Sequence, residues 1–248
     1  MKFKVPIEYE RASERTQASI VTDFIRRDII AGIFPPGSKL LLRALSERYD
    51  VGMIPMREAL SRLAIAGFVT LIDQRGFRVA RASKEELLDI MHVMTNIEAQ
   101  ALEDAIEHGD LAWEGKVVSA YHQVSKLPMV NEKIPGTMNP QWEIAHDAFH
   151  TALLSACTSP WLLRLAAILR GQSARYRFLS VNAMEAGVRD IAGEHALILA
   201  ATLKRDARAA SNALVEHLQT TARLAIGQSM LKPTSKNGKR RAPPAATV

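Results

Sequence analysis

Apolar residues recur along most of this chain at intervals of three and four, the spacing that lines one face of an α-helix. The stretch "TQASIVTDFIRRDIIAGIF" carries Ile20, Val21, Phe24, Ile25 and Ile29 on such a face. Gly32 closes it, and "FPPGSKL" supplies a turn. A second helical pattern, "LRALSERYDV", follows. A third, "MIPMREALSRLAIAGF", has Met56, Leu60, Leu63 and Ile65 among its apolar positions. Pro55 suits the first turn of that third helix, where a missing N–H costs no bond. The period then changes. "VTLIDQRGFRVAR" predicts two short strands around the turn Asp73-Gln74-Arg75-Gly76. Three helices and a two-stranded wing predict a winged helix-turn-helix over residues 17–82, preceded by an arm over residues 1–16.

From Ser83 the pattern is helical almost throughout. "SKEELLDIMHVMTNIEAQALEDAIEHGD" opens on a capping box, Ser83 with Glu86, and stops at Gly109. "LAWEGKVVSAYHQVSKL" ends near Pro128, and "PMVNEKIPGTMNP" is a loop. Asn139 and Pro140 begin "QWEIAHDAFHTALLSAC", and Ser159-Pro160 begins the next helix. "VRDIAGEHALILAATLKRD" and "ARAASNALVEHLQTTARLAIGQ" join at Arg205-Asp206. About six helices and no strand pattern predict an all-α bundle over residues 83–230, so the whole chain is expected to be mainly α. The last residues, 231–248, read "LKPTSKNGKRRAPPAATV" and are expected to be a disordered basic tail.

Charge separates these segments. Residues 1–82 hold fourteen basic and nine acidic side chains, residues 83–230 hold thirteen and seventeen, and the tail holds five basic and none acidic. A basic front on a mildly acidic body suits a polyanion-binding head on a different kind of domain. No apolar run approaches the roughly 20 residues that span a bilayer. The N-terminus lacks the apolar stretch of a signal peptide. A cytoplasmic protein with no membrane partner is expected. One cysteine, Cys157, excludes an internal disulfide and a cysteine-rich zinc site; it reads as a small buried hydrophobe on a helix.

Two sets of residues carry candidate chemistry. In the head, Arg57 lies in the first turn of the third helix, Arg43 on the helix before it, and Arg75 at the wing tip beside Gly76. A helix N-terminus attracts phosphate, and glycine lets a backbone approach a sugar–phosphate closely. Each arginine alone reads better as solvated surface charge; together, in a basic domain with this helix order, they point to double-stranded DNA. In the body, "AHDAFH" sets His146 and His150 four residues apart, on one helix face. His195 and His217 lie on two later helices, each among apolar residues. Imidazole suits divalent transition metals such as zinc or nickel. The spacing leaves three readings open: metal ligands, catalytic groups, or packed histidines.

The motifs "IIAGIFPPGSKL", "ALSERYDV", "PMREALSRLAIAGFV" and "QRGFRV" resemble the DNA-binding domain of GntR-type bacterial transcription regulators over about residues 17–81. The resemblance implies DNA contacts from Arg43, Arg57 and Gly76. One departure stands out. The family usually has Ser/Thr-Arg-Thr before the proline, where this chain has Gly52, Met53 and Ile54. "AHDAFHTALLSACTSPWLLRL" and "RDIAGEHALILAATLKRDARAASNALVEHLQ" resemble the FCD effector domain of the FadR-like branch. That likeness implies a divalent metal held by His146, His150, His195 and His217, with His146 in place of the usual acid. It also implies a small carboxylate effector, for which Arg175 and Arg177 are the candidate contacts. Met94 stands where the first body helix often carries an arginine. The carbon-starvation-induced regulator group shares the histidine replacement and the missing Ser-Arg-Thr run, and implies a dicarboxylate such as glutarate.

The leading expectation is therefore a homodimeric repressor reading an inverted-repeat operator. A metal-dependent enzyme acting on a small organic acid is the alternative. Against it, the chain has no H-E-x-x-H, phosphate loop or nucleophile elbow. Asp147 and Glu194 adjoin ligand positions but are expected to point away from them. A DNA-binding protein without an effector is the third reading.

Overall fold

The computed structural model describes residues 15–134, 136–177, 179 and 189–227. Most of the expected arm (1–16), residues 228–230 and the expected tail (231–248) lie outside the described residues.

The head opens with α1 (Gln17–Ile30). Thr16 caps it by accepting the Ser19 N–H, and Val21, Ile25 and Ile29 form its buried face. Helix α2 (Leu42–Tyr49) ends at Asp50 in the left-handed conformation, and α3 (Met53–Ile65) begins after Gly52. Asp28 of α1 fastens α2: its Oδ2 accepts from the Tyr49 hydroxyl at 2.6 Å and from Arg48 at 2.9 Å. The wing strands are β2 (Val69–Ile72) and β3 (Gly76–Val79). A further strand, β1 (Lys39–Leu40), completes an antiparallel sheet of order β1-β3-β2, with Lys39 opposite Arg78 and Leu40 opposite Phe77. The sequence reading makes these residues part of a turn. Two residues offer no alternation to detect; pairing with β3 and burial of Leu40 against the head core fix them.

The body contains six described helices: α4 (Lys84–His108), α5 (Leu111–Ser125), α6 (Pro140–Leu154), α7 (Pro160–Arg177), α8 (Ile191–Leu203) and α9 (Ala207–Ile226). Helix α4 packs along α7 and α9, α5 lies on α6, and α8 packs on α9 and α5. Side-chain caps set most starts. Ser83, Asp110, Asn139, Asp190 and Asp206 each accept a backbone N–H of the first turn. Two expectations are corrected. The capping box at Ser83 is only half formed, because the Glu86 side chain is held by Arg175 and Tyr176 instead of turning back. Cys157 is buried, but in the connection after α6 has ended at Leu154. None of the helices is long and apolar enough to cross a membrane, among the described residues.

Head and body meet along α7. The Gln172 amide donates to the Ala66 carbonyl at 2.5 Å, just past the end of α3. Arg175 donates to the Gly67 carbonyl at 3.4 Å and pairs with Glu86. The Met138 N–H reaches the Ala31 carbonyl at the end of α1. A cleft of about 530 Å³ remains between α1 and the α6–α7 pair, with Arg26, Arg27, Asp147 and Arg170 among its walls.

Gly109 ends α4 where Trp113 folds back over it. A Cβ there would lie 2.1 Å from a ring carbon of Trp113. The indole has nowhere to go: its N–H is bonded to the Ala152 carbonyl and the Arg205 guanidinium lies over its ring. Gly109→Ala is expected to destabilise the fold by about 1–3 kcal/mol, the usual range for overpacking, as read from urea unfolding midpoints.

Candidate functional site

The head carries exposed arginines on α2, α3 and the wing. Helix α3 buries Met56, Ala59, Leu60 and Leu63 and turns Ile54 and Arg57 outward. Arg57 and Arg75 are exposed and make no ion pair among the described residues. Arg43 is exposed and pairs only with Glu47, one turn along α2. At the wing tip Gly76 has φ +76°, and nothing lies within 4 Å of where a Cβ would point. These four residues thus lie on exposed segments of α2, α3 and the wing.

In the body, the four histidines meet. His146 and His150 come from α6, His195 from α8 and His217 from α9, and one nitrogen of each lies within 4.8 Å of the other three. Each residue is 3% exposed or less. Ring centroids are separated by 4.5–6.0 Å. Phe149, fully buried between the two α6 histidines in sequence, packs against His150 and His195, and Trp142 stacks on His146.

Electrostatics keep these rings neutral. Burial pushes His146 and His150 well below the usual imidazole value, and neighbouring cations push the same way. Burial likewise takes His195 down to about 2. It also lowers His217, with the Glu194 carboxylate pulling back. A neutral imidazole offers a lone pair to a metal. Nδ1 of His146, both nitrogens of His150 and Nε2 of His195 are buried without a hydrogen-bond partner. A buried polar atom left unpaired costs about 1–3 kcal/mol, so several orphans converging on one point call for a shared partner. Nitrogens on a tetrahedral ion at about 2.0–2.1 Å sit roughly 3.4 Å apart. Four neutral, buried imidazoles converging to within 4.8 Å are a donor set that fits a borderline divalent ion.

The surrounding residues correct one expectation. Glu194 does not point away: its Oε2 lies 2.8 Å from Nδ1 of His217. Arg189 holds the other side, donating to both Glu194 oxygens and to the His217 carbonyl. Burial pushes the Glu194 carboxyl up, but the hydrogen bonds from Arg189 and His217 outweigh it and hold it down at about 2. The ionised Glu194 thereby fixes the His217 tautomer and leaves Nε2 for the centre. Asp147, next to His146, faces outward and accepts from Arg170 at 3.1 Å. Arg170 is itself buried, reaching Glu98 and Thr151.

The two candidate effector arginines separate. Arg177 pairs with Glu143 and lines a cavity of about 20 Å³ together with His146, His217, Met94 and Tyr176. That volume holds about one water, so a carboxylate needs the cavity to widen. Arg175 is not brought to the histidines; it is buried at the junction with the head, against Glu86 and Gly67. Two residues apart on this helix, one arginine lies at the cavity and the other at the head junction, which the sequence alone does not show. Glu194, Arg189, Arg170 and Glu143 carry no motif of their own, and only the fold brings them to the site.

Residues 17–79 match the bacterial regulatory proteins of the gntR family, and residues 89–220 match the FCD domain. The HTH-type transcriptional repressor GlaR of Escherichia coli is 39% identical over 206 residues, spanning 79% of this chain and 90% of that protein. The uncharacterized HTH-type transcriptional regulator BphR of Paraburkholderia xenovorans is 36% identical over 197 residues, spanning 79% and 80%. Among solved structures, E. coli McbR/YncC superposes with a TM-score of 0.71 at 20% identity, covering 85% of this chain and 97% of that one, a likeness of fold. The chain belongs to the GntR family of bacterial transcription regulators, with a winged helix-turn-helix head and an FCD body. It is a DNA-binding transcription regulator of that family. The enzyme alternative is set aside, because the relatives are regulators.

Two outcomes are expected. Glu194→Ala removes the acceptor that orients His217 and is expected to weaken zinc binding about 10–100-fold, read by competition with a chromogenic chelator. The second concerns pH. In the unfolded chain the imidazoles titrate near 6.5, whereas in the folded chain all four lie lower. Below about pH 6.5 the unfolded state therefore binds more protons, and stability is lost as pH falls. Melting temperatures of the chelator-treated protein are expected to drop steeply from pH 7 to pH 5; a flat profile would contradict the neutral, buried cluster.

Proposed function

We propose that this chain is a homodimeric, cytoplasmic repressor whose operator affinity is set by a small carboxylate bound at a metal centre in the body. The observation that carries the reading is the convergence of four buried, neutral imidazoles beside Arg177, at the end of the helix that grips the head. His146, His150, His195 and His217 would hold zinc or nickel, which when bound would supply a Lewis-acid anchor for a carboxylate oxygen. Arg177 is the natural partner for the remaining negative charge, at the cost of loosening Glu143. Glutarate and related dicarboxylates are the first compounds to test.

The route from effector to DNA runs through α7. Arg177 lies at its cavity end, while Gln172 and Arg175 grip Ala66 and Gly67 of the head. An effector shifts the balance between two arrangements only by its differential affinity for them, and the cleft between α1 and α6–α7 leaves room for the head to move. Arg43, Arg57, Arg75 and Gly76 form the DNA face, with α3 in the major groove. A second copy is supported by an apolar stripe on α7, where Trp161, Leu165 and Ile168 are exposed at helical spacing. Two-fold symmetry then asks for an inverted-repeat operator.

Operator affinity is expected to fall as salt rises, and Arg57→Ala to weaken binding and flatten that salt dependence; titrations at several salt concentrations read both. In thermal-shift measurements, glutarate is expected to raise the melting temperature of the zinc-loaded protein and to have no effect after chelation. The double variant His150→Ala/His195→Ala is expected to keep operator binding and lose the response. A shift that survives chelation would detach the effector from the metal.

A further inference from the structure

We infer that Ile54 is a base-reading residue and that the base feature it reads is the 5-methyl group of thymine. Ile54 occupies the second position of α3 and is 84% exposed, and unlike the equally exposed Ile65 at the other end of the helix it lies in the first turn. Its neighbours show that it is not a loose end of the core. Met53 is pinned beside it, with its sulfur accepting from the Ser46 hydroxyl of α2 at 3.4 Å. Met56, two positions on, is fully buried in the head core. Pro55 stiffens the backbone between them. The sequence thus places a rigid aliphatic knob at the N-terminal tip of α3 and leaves it in solvent.

The tip of this helix is the part of a helix-turn-helix that meets base edges in the major groove. Arg57 lies three residues on, a helical neighbour on the same exposed face, and supplies charge to the same surface. Of the four base pairs, only A·T and T·A present an apolar group in the major groove, the thymine methyl. An isoleucine has no hydrogen bond to offer any base edge. Set against a guanine or cytosine edge it would strip water from groups it cannot bond. Ile54 therefore favours thymine and disfavours G·C pairs at the one position it covers, while Arg57 is left to contact guanine or phosphate.

This rests on α3 lying in the major groove, and the experiment keeps the two ideas apart. Binding sites are selected from a random duplex pool with the full-length protein, and each thymine of the consensus is then replaced by uracil, which lacks only the methyl. At about 0.8 kcal/mol per buried methyl-sized group, each contacted methyl is worth roughly fourfold in affinity. Uracil at the contacted thymine of one half-site is expected to weaken the wild-type protein about fourfold, and in both half-sites about sixteenfold. Ile54→Ala is expected to be indifferent to that replacement, and Ile54→Val to retain part of the sensitivity. Ile54 is exposed, so both variants are expected to melt with the wild type. If Ile54→Ala binds too weakly to measure, the Ile54→Val series decides alone, since a sensitivity equal to wild type counts against the contact. Wild-type indifference to uracil at every position, or undiminished sensitivity in Ile54→Ala, would overturn the inference. A wild-type protein that selects no consensus at all would instead count against the placement of α3.

Discussion

Four imidazoles facing one another in a water-poor bundle core have to stay uncharged, and the body is arranged around that requirement. Like charges at these separations, in a medium that screens poorly, would drive α6, α8 and α9 apart. The polar groups that come with the site are admitted only in matched sets. Arg189 neutralises Glu194 behind His217, Arg177 meets Glu143, and Arg170 reaches both Glu98 and Asp147. Removing one member of such a set leaves a buried charge alone, which costs more than the pair contributes. Glu98 shows the limit of the scheme. It is fully buried with one oxygen unpaired, and burial pushes its carboxyl up while Arg170 pulls it back.

Helix α7 belongs to both halves of the molecule. Arg170 and Arg177 face the body, whereas Gln172 and Arg175 face the head. A packed helix moves as a rigid piece between discrete arrangements more readily than it deforms. The Arg177–Glu143 pair lies within two turns, on the same helix, of contacts to backbone carbonyls of the head. Those contacts reach Ala66 and Gly67, between α3 and the wing.

Much of this was legible before any coordinates. The change from helical to alternating period after Gly67 marks the wing, and the start signals at Ser83 and Asn139 sit where helices begin. The histidines were visible as residues, and the family resemblance joined them into one set that spacing alone could not assemble. Other features depended on the third dimension. Glu194 follows one helix face and His195 the next, so their adjacency argued for divergence; the carboxylate instead reaches across to His217 on α9. Arg175 and Arg177 carry the same chemistry two residues apart, about 200° around the helix, and no pattern in "ARYRFL" says which side belongs to which domain. β1 was too short to leave a period at all.

The hydrogen bond from Gln172 to the Ala66 carbonyl has a mechanical meaning, because it holds α3 at the end opposite its tip. From Ala66 to Ile54 the helix runs about 18 Å at 1.5 Å per residue. Pivoting there by only about 10° swings the tip sideways by roughly 3 Å, close to the 3.4 Å rise between neighbouring bases on one strand. A small rotation about this contact is thus magnified, at the far end of the arm, into a displacement comparable to the spacing of neighbouring bases.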